Sequence, residues 1–150
     1  MRHYFAFLIA ATVACSVKAA PSLYSVSSKA QGAPFDLVVT EVKREPNKSY
    51  LSVPGFHNRT APGARWLMCA YTDLAVKRGF SHWFVSYPPD NSEVLVVGLT
   101  NSPSASAKEV LGKDYSPEHT LGHEPMPVEK SPMIHQQLMF HCYLRKAVRD

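Results

Sequence analysis

The sequence predicts an α+β domain in which one principal helix, at about residues 62–78, packs on a small, mostly antiparallel sheet. Three observations lead to this prediction. The strongly apolar segment from Thr60 to Tyr87 has the pattern of a helix that is followed, after a short turn, by a buried strand. Other segments alternate apolar and polar side chains, as strands do. Stretches rich in Pro and Ser separate these segments and have the composition of turns.

The principal helix is predicted from its start, its interior and its end. Thr60 is a suitable N-cap, and Pro62 falls in the first turn, where a missing backbone N–H leaves no hydrogen bond unmade. No Gly or Pro interrupts the pattern between Ala64 and Gly79, and Gly79 supplies the left-handed residue that commonly ends a helix. The apolar positions that share one helical face are Leu67, Ala70, Tyr71 and Leu74.

Five strands are predicted around this helix. The segment 93–100 is apolar on both faces, which favours a central strand that is covered on both sides. Residues 45–48 have the composition of a turn, so the strands before and after them should form a hairpin. A helical turn is expected at 107–111 because Gly112 follows it, and the Pro-rich segment 115–132 is expected to be a loop. The predicted strands are 35–43, 49–53, 80–87, 93–100 and 133–145.

The first residues have the features of an export signal. Arg2 provides a positive start, and residues 4–14 form an apolar run that is too short to span a bilayer. Two processing routes are open: cleavage before Ala20, which is favoured, or lipidation of Cys15 after a run that resembles a lipobox but lacks its usual leucine. The expected organisation is a signal peptide at 1–19, a flexible N-terminal segment at 20–34 and a single α+β domain at 35–150.

The cysteines indicate one disulfide bond. If Cys15 is removed with the signal or lipidated, Cys69 and Cys142 remain as a pair in an oxidising compartment. A bond between them would tie the principal helix to the last predicted strand and close a loop of roughly seventy residues. Chain-entropy reasoning assigns such a crosslink about 4 kcal/mol. The alternative is two separate buried thiols.

Histidine and methionine are concentrated in the last third of the chain, where imidazole and thioether groups could bind copper or zinc. Met139 and His141 point the same way on the last predicted strand, and His119 and His123 lie in the loop before it. A metal site needs three or four convergent ligands, and the sequence shows only that these residues are close along the chain. The alternative is a solvated strand face beside a polar loop.

Charge and motifs exclude several classes of function. The formal net charge of +4 falls to +2 once residues 1–19 are removed with Arg2 and Lys18, because 16 − 2 = 14 basic side chains then face 12 acidic ones. No basic run is longer than two residues, so no nucleic-acid partner is predicted. The chain has no G-x-S-x-G motif and, once the disulfide forms, no free cysteine, so no catalytic residue is assigned.

The run Ala-Tyr-Thr-Asp-Leu-Ala-Val-Lys-Arg-Gly-Phe at 70–80, with Trp-Phe-Val at 83–85, resembles a pattern in small uncharacterised bacterial envelope lipoproteins. Those proteins carry an alanine-rich helix, an acidic residue, a Gly-aromatic stop and an aromatic-valine strand. Asp73 stands where they often have Glu, and Ala75 where they often have Thr. The resemblance covers about a fifth of the chain. It implies a bacterial exported protein of similar fold and implies no activity, because that family has no catalytic residues to transfer.

The sequence therefore predicts an exported bacterial envelope protein, periplasmic or secreted, with a structural or partner-binding role and no enzymatic activity. The expected partner is another envelope protein, and membrane contact is expected only through lipidation of Cys15. The alternative function is a periplasmic copper- or zinc-binding protein that uses His119, His123, Met139 and His141.

Overall fold

The computed structural model describes residues 22–88 and 90–128. In this part of the chain a long and a short helix lie on opposite faces of a six-stranded antiparallel sheet, which confirms the predicted α+β class. The strand order is β1-β2-β3-β5-β4-β6. In chain order the elements are β1 (Ser25–Ser27), β2 (Val38–Glu45), β3 (Lys48–Ser52), a 3-10 turn (Phe56–Asn58), α1 (Ala61–Lys77), β4 (His82–Ser86), β5 (Val94–Thr100), α2 (Ala107–Leu111), a second 3-10 turn (Gly112–Asp114) and β6 (Thr120–Pro127).

Helix α1 begins and ends where the sequence predicts. Thr60 Oγ1 accepts a hydrogen bond from the Gly63 amide at 3.3 Å and so caps the first turn. Gly79, with φ of 77°, follows the last turn in the left-handed conformation that favours glycine. The predicted apolar face is buried against the sheet: Leu67, Ala70, Tyr71 and Leu74. Within the described residues, no helix is long and apolar enough to cross a membrane.

The hairpin and the central strand are also confirmed. Glu45 lies opposite Lys48, so two residues connect β2 to β3. Strand β5 lies between β3 and β4; α1 covers one of its faces, and α2 covers part of the other, on which Val94 is 40% exposed. One of its faces packs under α1 through Leu95, and the other packs on α2 through Val96.

Strand β1 lies within the segment that the sequence predicts to be flexible, so that prediction is wrong for this part of the segment. β1 pairs with β2. Just before it, Tyr24 is buried, and its hydroxyl proton is shared between two acceptors, the Ala70 carbonyl at 3.2 Å and Asp73 Oδ2 at 3.0 Å. These partners are distant in sequence, so no local pattern could reveal them.

Strand β6 replaces part of the loop predicted at 115–132, and that prediction is wrong for residues 120–127. β6 pairs with β4 at the edge of the described sheet, where a proline can be accommodated. Leu121 pairs with Val85, and Met126 pairs with Trp83. From one pairing to the next, β6 advances by 126 − 121 = 5 residues, whereas β4 advances by only 85 − 83 = 2 residues. Three extra residues therefore form a bulge, which hides the period-two pattern. The strand predicted at 133–145 lies outside the described residues.

Helix α2 packs closely on β5 at Gly98. A Cβ atom at this residue would lie 2.8 Å from Val110 Cγ1 and 3.0 Å from Leu111 Cδ2. We expect Gly98→Ala to lower the free energy of unfolding, measured by urea denaturation, by about 1–3 kcal/mol, because α2 must shift to relieve the overlap. Adding Val110→Ala should recover part of this loss. A neutral Gly98→Ala variant, or strictly additive losses in the double variant, would contradict the close packing.

Candidate functional site

The predicted cysteine sites are only partly within the described residues. Cys69 lies half-buried on α1. Cys142 and Cys15 lie outside the described residues, so the disulfide bond and the lipidation stay predictions.

The predicted metal site is likewise divided. His119 is partly buried just before β6, and its carbonyl oxygen accepts the Tyr87 amide at 2.8 Å. His123 is exposed within the bulge of β6. Met139 and His141 lie outside the described residues. Among residues 22–88 and 90–128, no three or more His, Cys, Asp or Glu side chains are grouped so that they could hold a metal ion. The metal-binding alternative therefore keeps only its sequence argument.

The most deeply buried carboxylate is Glu41 on β2, which faces the α1 side of the sheet. Its Oε1 accepts hydrogen bonds from Ser49 Oγ at 2.6 Å and Arg44 Nε at 2.9 Å, and its Oε2 accepts the Tyr24 amide at 3.0 Å and a second nitrogen of Arg44. Burial alone raises the pKa of Glu41, but the hydrogen bonds from Arg44, Ser49 and the Tyr24 amide outweigh it and lower the pKa to about 2. Glu41 is therefore a hydrogen-bonded anion that links β2, β3 and the residue just before β1.

Arg78, at the end of α1, completes this buried network. Its guanidinium donates to Ser49 Oγ and the Lys48 carbonyl, each at 2.8 Å, and to the carbonyls of Glu45 at 2.6 Å and Pro46 at 2.9 Å. The planar fork of arginine suits several acceptors at once. Arg78 thus fastens the β2–β3 turn to the C-terminal end of α1, which is a structural role.

A second group of charges lies on the α2 side, around Tyr50. Lys48 Nζ contacts Asp114 Oδ2 at 2.7 Å and Glu45 Oε2 at 3.2 Å, and Lys43 Nζ contacts Glu45 Oε1 at 2.7 Å. The hydrogen bond to Asp114 raises the pKa of Lys48. The Tyr50 hydroxyl donates to Asp114 at 2.9 Å. We call Lys43, Glu45, Lys48 and Asp114 the charged rim; its two cations and two anions balance each other.

Next to the charged rim, part of the sheet is left uncovered by α2. Thr40 lies opposite Ser52, and Ser52 lies opposite Val94, so these side chains form a row across β2, β3 and β5. The row faces away from α1. Neighbouring residues of a strand point to opposite faces of the sheet, and the residue next to each member of the row belongs to the core under α1. Val38 is 36% exposed and Val94 is 40% exposed. We call this surface the open face and define it as Val38, Thr40, Tyr50, Ser52 and Val94.

The open face was not predicted from the sequence. The sequence treats segment 93–100 as covered on both sides, yet α2 reaches only part of the sheet, around Phe84 and Val96. The feature of the sequence that could have predicted the open face is the short length of the helical turn at 107–111. Five residues rise only about 7.5 Å, which is less than two strand spacings. A helix of that length cannot cover a six-stranded sheet.

No protein-family model, curated protein sequence or solved structure matches this chain. The resemblance to bacterial envelope lipoproteins therefore stays a prediction from residues 70–85.

Proposed function

We propose that this chain is an exported bacterial envelope protein that binds a protein partner through the open face. The observation that carries the proposal is the exposure of Val38 and Val94 on a sheet surface that α2 leaves uncovered, directly beside the charged rim. An exposed surface that combines apolar and polar side chains beside charged ones has the mixed composition of many protein–protein interfaces. Since the charged rim has both signs, the expected partner presents apolar side chains flanked by charges of both signs.

The structural contacts made by ionisable groups with displaced pKa values support a binding role over a catalytic one. Displaced pKa values often mark active sites. Two groups with displaced pKa values, Glu41 and Lys48, are held in contacts between elements of the fold: Glu41 joins β2 and β3 to the Tyr24 amide, and Lys48 joins β3 to Asp114 after α2. Their pKa values follow from these structural contacts. Export itself is supported by the signal-like residues 1–19 and by the family resemblance.

Site-specific photo-crosslinking in the bacterium that encodes the protein tests the proposal. A photoreactive amino acid at Val38 or Val94 should give one discrete adduct in the periplasmic fraction, because the open face contacts the partner. The matched control is Val76, which is 51% exposed but lies on α1, on the other side of the sheet. It should give no such adduct.

Three outcomes would contradict the proposal. Retention of the chain in the cytoplasmic fraction would exclude export. Identical adducts from Val76 and Val94 would show non-specific contact, and the absence of adducts at both Val38 and Val94 would exclude the open face as the binding surface.

A further inference from the structure

Among residues 22–88 and 90–128, the Tyr71 hydroxyl is the buried side-chain polar group that has no hydrogen-bond partner. Tyr71 is fully buried on α1, and its ring meets Trp83 edge-on with the ring centroids 5.5 Å apart. Within the described part of the chain, its hydroxyl oxygen makes no hydrogen bond. A buried hydroxyl without a partner carries a free-energy penalty, so its retention needs an explanation.

The geometry of α1 and β4 directs this hydroxyl toward Tyr87. Ala75 O accepts the Phe80 amide at 2.9 Å, and Thr72 Oγ1 accepts Trp83 Nε1 at 3.0 Å, so α1 runs antiparallel to β4. Helical side chains lean toward the N-terminus of their helix, so the Tyr71 hydroxyl lies toward the end of β4. Tyr87 comes directly after the end of β4. Because side chains alternate between the two faces of a strand, Tyr87 faces the same α1 side of the sheet as Trp83.

Arg59, immediately before the N-cap of α1, lies beside Tyr87. Its guanidinium carbon is 3.8 Å from the ring centroid of Phe56 and 5.7 Å from that of Tyr87, and these two rings are 5.2 Å apart. Nη1 donates to the Phe56 carbonyl at 2.6 Å. This is the side-chain hydrogen bond that Arg59 makes within the described residues, so its other guanidinium N–H groups have no acceptor in that part of the chain.

The electrostatics of the three side chains suit an anion. Burial raises the pKa of Tyr71 well above its usual value, with the nearby Tyr87 adding to the effect and Arg59 opposing it. Burial also raises the pKa of Tyr87, again opposed by Arg59. Both phenols therefore stay protonated and act as hydrogen-bond donors, and the cation next to them is Arg59.

We infer that Arg59, Tyr71 and Tyr87 form a binding site for a small monocarboxylate between α1 and the end of β4. The guanidinium fork matches the two oxygens of a carboxylate, and the two phenols donate to the same oxygens. A singly charged carboxylate suits the site better than a doubly charged phosphate, because one cation balances one negative charge. The site lies on the α1 side of the sheet, so it is independent of the open face.

Sodium acetate is the probe for this site. Purified mature protein is titrated with sodium acetate or with sodium chloride at equal ionic strength, and thermal unfolding and chemical shifts are followed. Acetate should raise the midpoint of unfolding in a saturable manner, whereas chloride should not. Tyr71→Phe should weaken acetate binding at least tenfold, and Arg59→Gln should weaken it further. The matched control is Tyr115→Phe, because Tyr115 packs with α2 on the opposite side of the sheet and should keep the wild-type affinity.

Tyr71→Phe removes only an unpaired hydroxyl and should fold, which far-UV circular dichroism checks. If Arg59→Gln does not fold, Arg59→Lys is used instead. This variant keeps the positive charge but loses the planar guanidinium group. Equal effects of acetate and chloride, or wild-type acetate affinity in Tyr71→Phe, would overturn the inference. Tighter binding of phosphate or sulfate than of acetate would overturn the carboxylate class.

Discussion

Glu41→Ala is expected to lower the free energy of unfolding by about 3–5 kcal/mol, the usual cost of breaking a buried charged pair. The variant loses the acceptor that Arg44, Ser49 and the Tyr24 amide share. Burial lowers the pKa of Arg78, Glu41 counteracts this effect and Arg44 adds to it, so the variant leaves two cations near each other without the charge of Glu41. Urea denaturation followed by circular dichroism measures the effect.

Glu118→Ala is the matched control for Glu41→Ala. Glu118 is an exposed acid in the turn before β6, and its removal should change the free energy of unfolding by no more than about 0.5 kcal/mol. If the two variants lost similar amounts, the Glu41 network would not be the stabilising feature that its geometry indicates.

The same variant has an expected pH signature. Glu41 has a pKa of about 2 in the folded protein against an ordinary value of 4.5, so the unfolded chain binds more protons at pH values between these two. The stability due to Glu41 is therefore present above pH 4.5 and is lost as the pH falls toward 2. As the pH falls through this range, the free energy of unfolding of Glu41→Ala should therefore decrease less steeply than that of the wild type. Part of the loss of stability at low pH should remain in the variant, because hydrogen bonds from Lys43 and Lys48 also lower the pKa of Glu45 to about 2.

Trp83→Ala is the other change with a large expected effect, a loss of about 3–5 kcal/mol in the free energy of unfolding. Trp83 is 1% exposed at the centre of the core between α1 and β4. Its removal leaves a cavity beside Tyr71, takes away the edge-on ring contact, and removes the hydrogen bond from Nε1 to Thr72 Oγ1. Thermal or urea unfolding measures the loss.

Trp66→Ala is the control for Trp83→Ala, because the deleted side chain is the same. Trp66 is only half-buried, and its Nε1 bonds to Gln31 on the surface. A loss of about 1 kcal/mol is expected, in proportion to its smaller burial. Equal losses for the two tryptophans would contradict the assignment of Trp83 to the centre of the core.

Features with a local physical cause could be read from the sequence. Thr60 and Gly79 set the ends of α1 through backbone groups within one turn of the chain. The two-residue turn between β2 and β3 and the apolar pattern of β5 are likewise properties of neighbouring residues. The candidate metal ligands His119 and His123 could be located only along the chain, since sequence spacing does not show whether side chains converge.

The sequence by itself determined the α+β class, the principal helix, the hairpin and the central strand, because capping, turn chemistry and side-chain periodicity act over a few residues. Only the tertiary structure decided the rest. β1 is ordered by Tyr24 reaching α1, β6 pairs with β4 despite its prolines and bulge, and the short α2 leaves the open face uncovered. The packing of α1 on β4 buries the Tyr71 hydroxyl, which has no hydrogen-bond partner among the described residues. Contacts between residues that are far apart along the chain have no signal in local sequence pattern, and it is these contacts that position both proposed binding surfaces.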